Sequence, residues 1–323
     1  MPGLQLNDVY LARQRIASLV RVTPLEYSPS LSRLMGVAVY LKLESQQITG
    51  SFKLRGASNA VAQLDAAARE RGVVAASTGN HGRALAYAAS RLGVKATICL
   101  SHLVPQNKVQ AIRDLGAQVC IVGQSQDDAQ REAERISAVE GAALLPPFDH
   151  AAVIAGQATL GLEIIEQLPD VAQVLVPLSG GGLFCGIALA LKGVNPAIRL
   201  HGISMQRGAA MHASLEAGHP VDVEELATLA DSLGGGIGLD NQFTFTMTRD
   251  LCDQVHLVDE ASIANGIRHA YFEERQVVEG AAAVGIGALL DGLIERRGPI
   301  VVVVSGRNVD VQQHQRVLAG ANE

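Results

Sequence analysis

The sequence predicts an α/β fold, in which parallel strands alternate with helices. Short β-branched runs alternate with Ala- and Leu-rich stretches of helical pattern along most of the chain. Several runs, notably 300–304, are apolar on both faces, as strands covered by helices on both sides are. Hydrophobic residues make up 48% of the chain and charged residues 18%, which indicates a compact protein with a large core.

The elements follow from these patterns. Strands are predicted at 73–76, 95–100, 119–122, 174–177, 200–204, 255–258 and 300–304. Helices are predicted at 57–68, 83–92, 106–115, 126–139, 152–168 and 183–191. Gly93 is a plausible carboxyl-terminal cap for the helix 83–92.

The length of 323 residues exceeds the usual size of one hydrophobic core, so either two domains or one large α/β domain is expected. There is no internal repeat and no long linker. The adjacent residues Pro146 and Pro147 are the best local candidate for a crossing between two lobes.

Charge and composition exclude several function classes. The net charge of -6, without a run of like charges, argues against nucleic acid. The amino-terminal segment lacks the pattern of a secretory signal, and no apolar stretch reaches membrane-spanning length. The four cysteines are widely spaced, which fits reduced thiols better than disulfides or a zinc site. We therefore expect a cytoplasmic protein that binds neither nucleic acid nor membrane.

Three strand-to-helix junctions, at 77–82, 178–183 and 305–308, are rich in Gly and small polar residues. Ligands bind at the carboxyl ends of parallel strands, so these loops could converge on one crevice. Convergence of this kind favours an enzyme over a scaffold.

The loop 179–182 precedes a predicted helix, so its backbone N–H groups and the helix amino terminus could bind a phosphate. A plain turn is the alternative, because Gly is the usual turn residue. The dinucleotide fingerprint and the P-loop motif are both absent. A mononucleotide or a phosphorylated cofactor remains.

Lys53 lies among small residues and directly after Phe52. A desolvated lysine has a lowered pKa, and its neutral amine is a nucleophile toward an aldehyde. The alternative is an ordinary exposed lysine, since Lys is rarely buried.

Five segments, taken together and in this order, resemble the fold-type II pyridoxal-phosphate enzymes, the group of threonine dehydratase and serine racemase. The segments are 51–57, 77–81, 152–157, 179–183 and 305–308. The resemblance implies a tryptophan synthase β-like fold, with two parallel-sheet domains and the cofactor in the cleft between them. A large domain would comprise 1–71 and 148–323, and a small mobile domain 72–147.

The resemblance also implies roles for individual residues. Lys53 would hold pyridoxal 5'-phosphate as a Schiff base and then remove the α-proton of the substrate. Phe52 would pack near the ring, and Asn80 would hydrogen-bond its phenolic oxygen. Ser305 would meet the pyridine nitrogen, and this neutral partner makes the ring a weaker electron sink, which favours elimination. The implied phosphate-binding residues are Ser179, Gly180, Gly181, Gly182 and Leu183, and the implied substrate-binding residues are Ser77, Thr78, Asn80 and His81.

Glu279 has two interpretations. It matches an acidic residue that lies near the cofactor in the family. Alternatively, it caps the following Ala-rich helix, where the helix dipole favours a carboxylate.

Two positions separate branches of the family. Thr78 stands where serine racemase has a serine that acts as acid or base on the second ring face, so Thr78 is a candidate catalytic residue and racemisation is an alternative activity. Members with a divalent metal supply carboxylates from the segment aligned with 204–210. Here the matching residues are Ser204, Gly208 and Ala210, so no metal is predicted.

Arg307, the Gly-rich stretch 233–238 and the segment 77–86 are most similar to the hydroxyectoine-utilisation dehydratases. That branch implies a hydroxylated diaminobutyrate derivative as the small-molecule amino-acid substrate. Arg307 either alters cofactor or substrate preference or extends into solvent. The alternatives are an L-threonine, L-serine or hydroxyaspartate ammonia-lyase, a serine racemase, and a catalytically silent small-molecule sensor. The resemblance further implies a homodimer or homotetramer.

Overall fold

A computed structural model describes residues 3–77, 79–104 and 106–322, without the side chains of residues 107 and 108. Its strands are β1 (Leu25–Tyr27), β2 (Val39–Leu43), β3 (Val73–Ala76), β4 (Ala96–Leu100), β5 (Gln118–Ile121), β6 (Ala143–Leu144), β7 (Gln173–Pro177), β8 (Arg199–Met205), β9 (Gln254–Val258) and β10 (Ile300–Val304). They form two sheets, one of six strands in the order β1-β2-β10-β7-β8-β9 and one of four in the order β5-β4-β3-β6.

The helices are α1 (Leu6–Ile16), α2 (Pro29–Met35), α3 (Lys53–Ala62), α4 (Ala66–Arg71), α5 (Asn80–Arg91), α6 (Gln106–Asp114), α7 (Gln126–Glu140), α8 (Ala151–Gln167), α9 (Gly182–Val194), α10 (Ala210–Ala217), α11 (Thr244–Leu251), α12 (Glu260–Phe272), α13 (Gly280–Leu290) and α14 (Val311–Leu318). None of the helices described is both long and apolar enough to cross a membrane.

The six-stranded sheet is covered by helices on both faces. Along β10, Ile300, Val302 and Val304 belong to the core that α12 and α13 complete. Val301 and Val303 point the other way, into the core shared with α8 and α9. Successive side chains of a strand alternate between faces, so an unbroken apolar run needs cover on both sides. Apart from the antiparallel pair β1 and β2, the strands of this sheet are parallel.

The four-stranded sheet is parallel throughout and has the same construction. Val73 and Ala75 of β3 pack in a core with α3 and α5. Val74 and Ala76 pack in a second core with α7. The expected α/β class with two parallel-sheet domains is therefore confirmed.

The seven predicted strands correspond to β3, β4, β5 and β7 to β10, whereas β1, β2 and β6 were not predicted. The prediction of one helix over 57–68 is wrong. Helix α3 already begins at Lys53 and ends at Ala62, and α4 starts after Asp65. The Asp65 side chain accepts the backbone N–H of Ala68, and an amino-terminal cap of this kind starts a new helix.

The chain passes from the small sheet to α8 through the segment that contains Pro146 and Pro147. All strands of the small sheet lie between residues 73 and 144. Its core nevertheless includes Leu54, Ala57 and Val61 of α3, which precede residue 72. The expected division into 1–71 with 148–323 and 72–147 stays a prediction.

Helix α3 is attached to the large sheet by a buried cluster of two cations and two carboxylates. The Arg55 guanidinium donates to Glu44 at 2.8 Å and to Glu163 of α8 at 2.6 Å, and Lys42 of β2 donates to Glu163 at 2.7 Å. Lys42, Glu44 and Arg55 are 0% exposed and Glu163 is 5% exposed. Burial alone would raise the pKa of Glu163, but the cations of Arg55 and Lys42 lower it overall. The opposite charges therefore stay ionised and fix α3 in place.

Arg55→Met should lower the free energy of unfolding by about 3 to 5 kcal/mol, because it leaves two carboxylates buried without their shared cation. The matched control is Arg13→Met, which removes the exposed ion pair between Arg13 and Glu166 and should cost at most about 1 kcal/mol. Urea unfolding of both variants measures the difference. Equal losses would contradict the role given to this cluster.

Candidate active site

A cavity of about 610 Å³ lies where the loops after β3, β7 and β10 meet. Its size is typical of a site for a small ligand. It is lined by these residues of the predicted site: Phe52, Lys53, Ser77, Asn80, His81, Ser179, Gly180, Gly181, Gly182, Leu183, Glu279 and Ser305. The three glycine-containing loops thus converge, as their places after parallel strands suggested. Thr78 lies outside the described residues, and its catalytic role stays a prediction.

Lys53 is the first residue of α3, and its side chain enters this cavity. Its amine donates to the carbonyl oxygen of Pro147 at 2.8 Å and lies 5.2 Å from the centre of the Phe52 ring. Solvent reaches part of the side chain, yet burial of the amine lowers the pKa of Lys53 to about 8, against an opposing effect of Glu279. A sizeable fraction of this amine is therefore neutral near physiological pH.

The loop after β7, residues 179–182, is called the glycine loop below, and its conformation requires glycine at two positions. A Cβ on Gly180 would lie 2.5 Å from the ring of Phe148, and Gly181 has a φ of +87°. Helix α9 begins at the next residue, Gly182, and its amino terminus borders the cavity. Backbone N–H groups at a helix amino terminus bind phosphate well, so this loop suits a phosphorylated ligand.

Glu279 is at the centre of a hydrogen-bond network on the cavity wall. Its carboxylate accepts from Asn80 Nδ2 at 2.8 Å and from the backbone N–H of Asn308 at 3.2 Å. Asn308 Nδ2 in turn donates to Asn80 Oδ1 at 2.6 Å. Burial raises the pKa of Glu279 to about 7, although the bond from Asn80 lowers it. Glu279 occupies the amino-terminal cap position of α13, but its side chain makes no capping bond there and is directed to Asn80 and Asn308 instead.

His81 is held in a neutral form. Its Nε2 lies 2.8 Å from the carbonyl oxygen of Leu145, to which it must donate, and burial together with the charge of Lys53 lowers the pKa of His81 to about 4. Ser77 Oγ accepts the backbone N–H of Gly82 at 3.1 Å. The Ser77 bond joins this residue to the first turn of α5, and His81, with so low a pKa, is a poor base near neutral pH.

Ser305 directly follows the central strand β10 and is 2% exposed. Its carbonyl oxygen accepts the backbone N–H of Phe52 at 3.1 Å, which joins this strand end to the segment that carries Lys53. Arg307, two residues later, is exposed and lies on the cavity wall. Its exposure agrees with a side chain that extends into solvent, and an effect of Arg307 on cofactor or substrate preference stays a prediction.

The predicted site did not include several residues of the cavity wall, among them Asn308, Pro147 and Phe148. Asn308 belongs to the motif 305–308, but no role was predicted for it. Pro147 and Phe148 contact Lys53 and the glycine loop through long-range packing, and no local pattern marks them. In the described part of the chain, no three His, Cys, Asp or Glu side chains lie together as metal ligands would.

Residues 16–306 match the family described as pyridoxal-phosphate dependent enzyme. The chain belongs to this family. The resident cofactor of the family, pyridoxal phosphate, is therefore confirmed.

Relatives of this pyridoxal-phosphate enzyme extend over nearly the whole chain. A provisionally named threonine dehydratase of Sinorhizobium fredii is 60% identical, over 99% of this chain and 97% of its own length. The L-threonine ammonia-lyase of Thermotoga maritima is 40% identical, over 98% of this chain and 78% of its own length. Similarity to dehydratases and ammonia-lyases confirms the expected class, a pyridoxal-phosphate-dependent lyase.

Solved structures agree with the fold. Maize serine racemase has a TM-score of 0.91 and 32% identity, with 98% of this chain and 97% of that chain covered. The processed threonine deaminase isoform 2 of Solanum lycopersicum has a TM-score of 0.89 and 34% identity, with 99% and 95% covered. The fold-type II architecture is thereby confirmed.

The residues of the cavity fit the cofactor of this family. A partly neutral amine, that of Lys53, can take an aldehyde, and the glycine loop with the α9 amino terminus can take a phosphate. A side chain on Gly180 would collide with Phe148, so the close contact between this loop and Phe148 requires glycine at that position.

The rate at which the apoenzyme forms its visible absorbance band with pyridoxal phosphate should follow the neutral fraction of Lys53. Its pKa is lowered to about 8, so the rate should fall about tenfold per pH unit below pH 8 and level off above it. Nα-acetyl-lysine, with an ordinary amine, is the control. A rate for the protein that still rises beyond pH 10 would contradict the lowered pKa.

Proposed function

We propose that this lyase removes water from a β-hydroxy amino acid and thereby releases a keto acid and ammonia. The observation that carries the proposal is the partly neutral amine of Lys53, held 2.8 Å from the Pro147 carbonyl in a cavity of about 610 Å³, which has room for both a cofactor and an amino acid. Such an amine can first hold the cofactor and later accept a proton. When bound, pyridoxal phosphate withdraws electrons from the α-carbon of an attached amino acid.

Lys53 is the general base in this proposal. Once free of the cofactor, its Nζ accepts the α-proton of the substrate. The β-hydroxyl then leaves as water, together with the proton that Lys53 accepted. The unsaturated amine that results tautomerises and is hydrolysed in water to a keto acid and ammonia. A pKa near 8 suits this role because the amine can both accept and release a proton near neutral pH.

The amino terminus of α5 is the proposed site of the substrate carboxylate. Ser77, Asn80 and His81 all line the cavity there, and α5 begins at Asn80. The positive end of a helix dipole attracts a carboxylate. The proposed role of Ser305 is a neutral partner for the pyridine nitrogen, which favours elimination over reactions that need a long-lived carbanion.

The finer proposal concerns the substrate, a hydroxylated diaminobutyrate derivative. Two exposed acidic residues, Asp231 and Glu225, line the same cavity. Carboxylates attract a second, cationic amino group, which threonine and serine lack. L-Threonine is the second candidate, favoured by the L-threonine ammonia-lyase of Thermotoga maritima at 40% identity.

The substrate is identified by incubating the holoenzyme with L-threonine, L-serine, hydroxyaspartate and hydroxylated diaminobutyrate while keto acid and ammonia are measured. The finer proposal predicts the highest kcat/KM for the diamino compound, and a loss of about tenfold for that compound alone in the double variant Asp231→Asn, Glu225→Gln. If threonine is turned over fastest, the proposed dehydration stands and the proposed substrate changes to threonine. Fast formation of D-serine would favour a racemase, and a protein that stays colourless with the cofactor would favour a sensor.

Lys53→Ala should reduce turnover of the best substrate by at least about a hundredfold, since the variant lacks the proposed base. It should also lose the visible band of the bound cofactor. Lys192→Ala, which removes an ion pair with Asp253 at the surface, is the control and should keep both properties. Turnover by Lys53→Ala at the wild-type rate would refute the assignment.

Further expectations stand as proposals. We propose a cytoplasmic homodimer or homotetramer, and a small domain, 72–147, that moves against the large one when substrate binds. Cell fractionation tests the location, and sedimentation tests the oligomeric state. Hydrogen exchange with and without substrate tests the movement of the small domain.

A further inference from the structure

The consecutive residues Pro147, Phe148 and Asp149 lie between the small sheet and α8. Each contacts a different element in or beside the cavity. The carbonyl oxygen of Pro147 accepts the amine of Lys53 at 2.8 Å. The ring of Phe148 packs on Gly180, where an added Cβ would come within 2.5 Å of it. One short segment thus contacts both the amine and the glycine loop.

Asp149 anchors this segment to a third element, helix α11. Its carboxylate accepts the backbone N–H groups of Gln242 at 2.6 Å, Phe243 at 2.9 Å and Thr244 at 2.9 Å. Phe243 is the amino-terminal cap residue of α11 and provides no side-chain cap. Asp149 therefore supplies the cap from a distant part of the chain, with its charge at the positive end of the helix dipole.

Helix α11 leads back to the glycine loop. A Cβ on Gly181 would lie 2.9 Å from the Cβ of Thr244, so the two residues are packed closely. The Thr244 carbonyl oxygen also lies 3.4 Å from Cys185 Sγ in α9. The start of α11 thus contacts the loop at Gly181, and Phe148 contacts it at the neighbouring Gly180.

We infer that Asp149 is a positioning residue that sets the distance between the amine of Lys53 and the glycine loop, the proposed phosphate site. Its three hydrogen bonds hold the segment 147–149 against the start of α11, and these two segments contact the loop at the neighbouring residues Gly180 and Gly181. A ligand that bridges the amine and the loop needs a fixed distance between them. The inference rests on the proposed roles of Lys53 and of the loop.

A purely structural role, as a helix cap, is the competing explanation. It predicts a lower melting temperature and unchanged ligand binding. The matched control is Asp259→Ala, because Asp259 caps the 13-residue helix α12 through the N–H of Ser262 and does not line the cavity. The test compares Asp149→Ala, Asp149→Asn and Asp259→Ala with the wild type.

The apoenzymes are titrated with pyridoxal phosphate and, separately, with pyridoxal, which has the aldehyde without the phosphate, and melting temperatures are recorded. For Asp149→Ala we expect pyridoxal phosphate to bind about tenfold more weakly and the preference for it over pyridoxal to shrink, as loss of charge-assisted hydrogen bonds implies. Asp149→Asn keeps an oxygen for two of the three N–H groups and should show a smaller loss. Asp259→Ala should melt earlier with unchanged binding.

Binding by both Asp149 variants within twofold of the wild type, with lowered melting temperatures, would overturn the inference. If Asp149→Ala does not fold, Asp149→Asn decides the question. If the wild type binds pyridoxal no more weakly than pyridoxal phosphate, the loop after β7 does not bind the phosphate. That result would overturn both the proposed role of the loop and this inference. A failure of the proposed dehydration can be distinguished from both results. It would appear as absent turnover of β-hydroxy amino acids, while the binding constants for pyridoxal phosphate and pyridoxal would still be as expected.

Discussion

The position of Lys53 depends on the buried ion cluster around Arg55. Both residues lie in the first turn of α3, and the Arg55 guanidinium bonds to Glu44 after β2 and to Glu163 of α8. Burying two carboxylates without this cation would cost free energy of folding. Helix α3 therefore has one favourable position and one favourable rotation about its axis. The same rotation directs Lys53 into the cavity. The stability of the large domain and the geometry of the site therefore share one set of charges.

Much of the fold could be predicted from local patterns. Strand β10 was predicted because five consecutive β-branched residues need cover on both faces. Strand β2 was not, because Lys42 interrupts its apolar run. That lysine is buried with its charge paired to Glu163, 121 residues away, and with further bonds to Thr23 and Gln167. A strand that depends on so distant a partner leaves no local signal. The three-residue β1 and two-residue β6 are too short to show a pattern.

The site was predictable where its chemistry requires unusual local sequence. Glycines after β7 and small residues around Lys53 mark such places, and the structure brings them to one cavity. Asp149 and Pro147 were missed, because their partners are contacted across the fold and neither residue type is unusual in a loop. Glu279 had two interpretations, and it has a place in both: it is the amino-terminal cap residue of α13, and its carboxylate accepts hydrogen bonds from Asn80 and Asn308 on the cavity wall.

The central claim, that Lys53 holds the cofactor, is tested most directly by reduction of the holoenzyme with borohydride followed by peptide mapping. Reduction makes the link between a lysine and pyridoxal phosphate permanent, so mass spectrometry identifies the residue. We predict one phosphopyridoxyl group per chain, on Lys53. A label on Lys42, Lys95, Lys108 or Lys192, or no label on a protein saturated with the cofactor, would contradict the account.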